Sequence, residues 1–291
     1  MEGARAGNGR GVSTVIAEGP LASGKGDADE NFPVARLFAP KFRAPVKAFY
    51  RFARTGDDIA DHPGAPAAEK LTRLEAMRAT LAGESDADAP ALALRRVCEE
   101  REITVQHGLD LLIAFTRDVT KARYATWDEL IDYCRVSAMP VGRFVLDVHG
   151  EERALWPAND ALCVALQVIN HLQDCAKDKA ALDRVYLPAD ALTAEGASVA
   201  DLDAPRATPA LRRAIVGLAR RTMGLLDQSR PFARAVRDTR LGVEVAIIQR
   251  LADDLGRRLL TRDPLSERVH HGKVETFALA ARGLIGRLLP A

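Results

Sequence analysis

The chain carries almost no net charge: 41 Lys and Arg stand against 40 Asp and Glu, leaving a formal +1. A nucleic-acid binder shows a basic surplus, so this balance argues against one and confines any charge-based function to local clusters. Cysteine is sparse. Cys98, Cys134, Cys163 and Cys175 include no C-x-x-C pair, which points away from a zinc site or a disulfide framework and toward reduced thiols in a cytoplasmic protein. No apolar run reaches the ~18 residues of a membrane span, and no G-x-G-x-x-G follows a strand. The start, MEGARAGNGRGVSTVIAEGPLASGKGDADE, is basic but lacks the apolar core of a secretory signal; residues 1–28 read as a flexible Gly-rich leader.

Alternating β-branched runs are nearly lacking too, whereas apolar residues recur at three- and four-residue spacing through Ala-, Leu- and Arg-rich segments. The pattern predicts an all-α fold, with helices near 34–55 running into an acidic cluster, 66–83, 89–101, 105–120, 127–149, 158–179, 208–230, 240–261 and 273–289. HPGAP at 62–66 stops the first helix, and Gly150 in HGEE suits a helix C-cap. The stretch 183–209, rich in Pro and Asp, reads as irregular. Without a repeat or a linker, residues 29–291 are expected to form one domain.

The acidic cluster is FARTGDDIAD at 52–61. On a helix Asp57, Asp58 and Asp61 share one side of a turn, bordered by Arg54, and like charges so placed repel unless something neutralises them. ALQVINHLQDCAKD at 165–178 repeats the pattern: Gln167, Asn170, Asp174 and Asp178 form a polar stripe on a helix otherwise carrying Leu166, Val168, Ile169 and Leu172. A buried helix does not spend so many positions on amides and carboxylates, so the stripe is expected to face a polar cavity. Two oxygen-rich stripes with no spaced His or Cys partners suit Mg²⁺, which completes its shell with substrate phosphate. Arg51, Arg54 and Arg184 are candidates for the remaining diphosphate oxygens. His171 reads as a hydrogen-bonded structural residue rather than a ligand, and Tyr50, Phe49, Phe52, Tyr133 and Phe144 as core or tunnel lining.

Three segments together, AFYRFARTGDDIAD at 48–61, YCRVSAMPVGRFVLDVHG at 133–150 and QVINHLQDCAKD followed by DRVYLP at 167–188, resemble the squalene/phytoene synthases in order and separation. The resemblance implies an isoprenoid-synthase helical fold around a central cavity. It implies Mg²⁺ ligation by Asp57, Asp58, Asp61, Asn170, Asp174 and Asp178. Tyr50, Arg54, Gln167, Arg184 and Tyr186 would handle the diphosphate or the reacting chain, with Tyr133, Ser137 and Gly142 on the central helix at the cavity. DENFPVARLFAP at 29–40 and S-A-x-P-V-G at 137–142 resemble the branch of bacterial hopanoid synthesis.

That branch implies ionisation of presqualene diphosphate, rearrangement and water capture to give hydroxysqualene, with no nicotinamide. It also implies a functional link to other hopanoid-pathway enzymes. Substrate and product partition into lipid, which suits peripheral contact with the inner face of the membrane, although no strongly basic amphipathic helix marks it. The alternative is condensation of two farnesyl diphosphates on the same fold. A non-catalytic assembly factor would have lost motif aspartates, and all five remain. Two positions depart from the family's pattern: Met139 stands where the branch has a polar Asn, and Gln173 where many relatives have Arg. Pro140 is expected to kink the central helix and, with Ser137, to hold the terminating water. The segment from 263 onward matches only loosely and contributes no site.

Overall fold

The computed structural model describes residues 38–272 together with 275–276 and 278–279. The expected leader, residues 29–37 and most of the helix expected at 273–289 lie outside the described residues. Twelve α-helices follow one another among the described residues: α1 Pro40–Asp61, α2 Ala67–Leu81, α3 Ala89–Arg101, α4 Gln106–Thr120, α5 Trp127–Ser137, α6 Met139–His149, α7 Trp156–Gln173, α8 Cys175–Leu182, α9 Ala189–Ala194, α10 Pro209–Ser229, α11 Phe232–Ala235 and α12 Thr239–Thr261. The described residues contain no named strand, only an isolated bridge between Arg123 and Val185. The all-α expectation holds.

Local chemistry sets the boundaries. Asp88, Thr126, Thr208 and Asp238 each accept a backbone N–H three residues on, capping α3, α5, α10 and α12; such caps are each worth about 1 kcal/mol. Gly150 ends α6 at φ 69°, as its position in HGEE predicts.

Two long helices expected from periodicity are each divided. The stretch 127–149 breaks at Ala138 (φ −119°, ψ −49°), and Pro140 falls in the first turn of α6. A proline there costs nothing, because a first-turn N–H has no intrahelical acceptor. Pro140 therefore starts a helix instead of kinking a continuous one, which corrects the expected kink. The stretch 158–179 breaks at Asp174, whose φ −103° and ψ 9° lie in the bridge region between α7 and α8.

Within the bundle α7 packs against α5, α6, α10 and α12, while α1 packs against α2, α3, α4 and α6. Phe52 and Phe144 are fully buried, and Phe49 stacks on Phe144 with ring centroids 4.1 Å apart. α6 lies close against α7 at Gly142, where an added Cβ would lie 2.0 Å from Asn159 Oδ1 and 2.7 Å from Cys163 Sγ. Gly142→Ala is expected to destabilise the fold by roughly 1–3 kcal/mol, the usual cost of overpacking. Thermal unfolding of the variant checks this, and an unchanged Tm would remove the close contact as the reason for glycine.

Candidate active site

Two helices carry the site, and both change character along one face. On α1 the half-buried positions Tyr50 and Ala53 lead to Arg54, Asp57, Asp58 and Asp61, while Phe49, Phe52, Ile59 and Ala60 of the same helix pack into the core. On α7 Leu162, Cys163 and Leu166 lead to Gln167 and Asn170, followed by Asp174 at the break and Asp178 on α8. The apolar halves line a cavity of about 310 Å³, to which Tyr50 contributes from α1, Gly142 from α6, Leu166 from α7 and Ile248 from α12. The acidic halves stand beyond it. A greasy chamber thus continues into a doubly acidic mouth.

Arg54 pairs with Asp57 at 3.0 Å and Asp58 at 2.6 Å. Arg184 pairs with Asp61 and donates to the Ala60 carbonyl at 3.0 Å, a favourable place for a cation because the C-terminal carbonyls of α1 point there. Its placement follows from the extended segment after α8. The Val185 N–H donates to the Ala122 carbonyl at 2.9 Å, and alternation along the strand-like stretch sends Arg184 and Tyr186 to one side.

A residue that sequence spacing misses joins these parts. Asp118, near the end of α4, accepts hydrogen bonds from Tyr133 at 2.8 Å and Tyr186 at 2.9 Å. It has no carboxylate neighbour at helical spacing, so only the fold reveals it. His171 stacks on Tyr186 at 3.6 Å, and its Nε2 lies 3.1 Å from Gln167 Nε2. Burial first, and Arg184 second, pull the imidazole down to about 3, so it is neutral and structural as expected.

Burial and like charge dominate the carboxylates. Asp57 is pushed up to about 7 by burial and then by Asp61, with Arg54 opposing; 39% of its side chain still meets water at the mouth, which moderates the rise. Asp178 is pushed up to about 7 by burial, then by Asp174, and Asp61 of the opposite wall adds to it. Asp118 rises to about 6 through burial, with Arg184 opposing. Asp61 and Asp178 are therefore near enough for the charge of one to bear on the other, so the two stripes approach each other at this point.

Not every expected residue joins them. Arg51 is exposed. Ser137 neither lines the apolar cavity nor hydrogen-bonds an acidic group among the described residues; its hydroxyl is buried at the end of α5. After α12, residues beyond 262 fold back toward the second stripe and bring His270 Nε2 to 3.8 Å from Asp174 Oδ1. Among the described residues no three His, Cys, Asp or Glu side chains are gathered so that they could hold a metal ion by themselves. The donor set is nonetheless all oxygen, and Mg²⁺ needs only one or two carboxylates when phosphate and water complete its shell.

The raised carboxyls have a stability consequence. Asp178 folds with a pKa of about 7 against an ordinary value of 3.8, so between those limits the folded state holds the extra proton. Stability without metal therefore falls as pH rises across that window. Asp178→Asn is expected to flatten this dependence and to raise the metal-free Tm at pH 7.5 by about 2–4 °C, read by calorimetry; a lower Tm would contradict it.

Comparison with known proteins agrees with this architecture. The family model for squalene/phytoene synthase matches residues 26–275. A hydroxysqualene synthase of Zymomonas mobilis subsp. mobilis is 52% identical, with 99% of each chain covered, and one of Rhodopseudomonas palustris is 53% identical, with 90% of each covered. The crystal structure of squalene synthase HpnC from Alicyclobacillus acidocaldarius superposes with a TM-score of 0.67 at 31% identity, covering 86% of this chain and 87% of that one. The chain belongs to the squalene/phytoene synthase family.

Proposed function

We propose that this chain ionises presqualene diphosphate and delivers the rearranged carbocation to water, giving hydroxysqualene and diphosphate. One observation carries the reading: along α1, and from α7 across the joint into α8, apolar cavity lining gives way to carboxylates, with Asp61 of one wall near enough to bear on Asp178 of the other. A long isoprenoid with a diphosphate head is the ligand class that matches both halves. The half-identical hydroxysqualene synthases support that branch of the family.

Isoprenoid diphosphate synthases of this family generally use a divalent metal, and the oxygen donors Asp57, Asp58, Asp61, Asn170, Asp174 and Asp178 suit Mg²⁺. The ion supplies charge neutralisation for the departing diphosphate. The forked guanidinium groups of Arg54 and Arg184, now paired with Asp57, Asp58 and Asp61, are placed to exchange carboxylate for diphosphate oxygens. The Tyr133 and Tyr186 hydroxyls, tied to Asp118, keep a fixed polar edge beside the apolar chamber. That chamber holds the carbocation away from bulk water until one water captures it.

Substrate and product both partition into lipid. No helix among the described residues is long and apolar enough to cross a membrane. Val141 lines the cavity while 42% exposed, so it marks a side opening suited to exchange with a bilayer surface. Contact with the inner face of the membrane and with enzymes handling the neighbouring hopanoid precursors follows from this reading.

Purified protein, Mg²⁺ and presqualene diphosphate are expected to yield hydroxysqualene by mass spectrometry; product from farnesyl diphosphate alone would instead favour the condensing activity. Asp58→Asn and Asp174→Asn should each slow diphosphate release by about 100-fold or more, consistent with lost stabilisation of developing charge. Near-wild-type rates in either variant would remove that stripe from the site.

A further inference from the structure

The segment after α12 is fastened largely by its own hydrogen bonds. Asp263 accepts from the N–H groups of Leu265 at 3.0 Å and Ala207 at 2.9 Å, and the Asp263 N–H donates to Glu267 at 2.7 Å. Arg262 donates to the Arg268 carbonyl at 2.8 Å. Val269 is 1% exposed, so the strap is also anchored in the core. Its next residue, His270, comes within 3.8 Å of Asp174, and both line a polar cavity of about 300 Å³.

Gln173 lines the same cavity. Its side chain belongs to a residue 6% exposed, and neither its amide nitrogen nor its oxygen has a hydrogen-bond partner. A buried amide left bare costs about 1–3 kcal/mol. A polar chamber of this size accommodates ordered water, which would satisfy it.

We propose that His270 is a positioning residue for the second acidic stripe: through its ring N–H, directly or across water shared with Gln173, it orients the Asp174 carboxylate toward the metal and diphosphate. The 3.8 Å separation is longer than a hydrogen bond; rotation of the carboxylate or a bridging water closes it. The strap's own bonds, including Arg268 Nε to the His270 carbonyl at 3.3 Å, hold this placement without recourse to a ligand. A histidine on the far side of a carboxylate ligand fixes which oxygen lone pair is presented, and removing such a partner typically weakens metal affinity about 10–100-fold. The inference rests on the proposed function, because it gives Asp174 a ligand to meet.

The test follows the rise in Tm of the full chain as Mg²⁺ is titrated at fixed inorganic diphosphate, beside turnover at each Mg²⁺ concentration. His270→Ala is expected to raise the half-saturating Mg²⁺ concentration by about tenfold or more in both measurements. His270→Gln, which keeps an N–H donor, is expected to recover it to within about threefold of wild type. Asp263→Asn, which loosens the strap without altering the imidazole, should reproduce the His270→Ala defect. Half-saturation within about twofold of wild type for His270→Ala, or equal defects in the Ala and Gln variants, overturns the inference. If wild-type protein is not stabilised at all by Mg²⁺ with diphosphate, the proposed function fails instead.

Discussion

Electrostatic repulsion between carboxylates at the mouth of an apolar chamber is the constraint on which the rest of this structure depends. Two unit charges 4 Å apart interact by about 4 kcal/mol at the effective dielectric of a protein surface, several times the value of a helix cap. The fold carries that repulsion by pairing Arg54 with Asp57 and Asp58 and Arg184 with Asp61. Burial and Asp61 outweigh the Arg54 pairing at Asp57, and Asp178 has no such ion pair among the described residues, so both carboxyls are pushed up to about 7. A cationic ligand carrying phosphate oxygens relieves both walls together, so selectivity for a metal-bound diphosphate grows from the same imbalance that destabilises the empty mouth.

Scaffold and chemistry are divided along the helices. The core faces of α1 and α7 are closely packed around Phe52, Phe144 and Ile169, which fixes the helix axes. With the axes fixed, seven-residue steps such as Tyr50 to Asp57 on α1 carry a side chain from chamber to mouth without changing face. The extended stretch at 184–187 and the strap after α12 then reach one wall each, bringing Arg184 to Asp61 and His270 to Asp174. Few residues of the site need unusual backbone geometry; Asp174, at the α7–α8 joint, is the exception.

Much of this is readable from the sequence because the two acidic stripes are helical-period features and helical periodicity is a local property. The helices of 67–81, 89–101 and 239–261 likewise follow from apolar spacing and local stop signals. What escaped reading is non-local. Asp118 stands alone in its own helix and becomes part of the site only when Tyr133 and Tyr186 arrive from other elements. His270 lies in a segment with no helical period, a strap fastened by the hydrogen bonds of Asp263 and by burial of Val269. The divisions at Ala138 and Asp174 are hidden because periodicity continues through them; at the first, Pro140 fits a helix start as well as a kink.

The central claim, that the facing carboxylates are neutralised by metal and diphosphate acting together, is tested most directly by calorimetric titration of Mg²⁺ into the protein with and without inorganic diphosphate. Weak binding alone and binding at least tenfold tighter with diphosphate is the predicted result. Equal affinity in the two titrations would contradict the account.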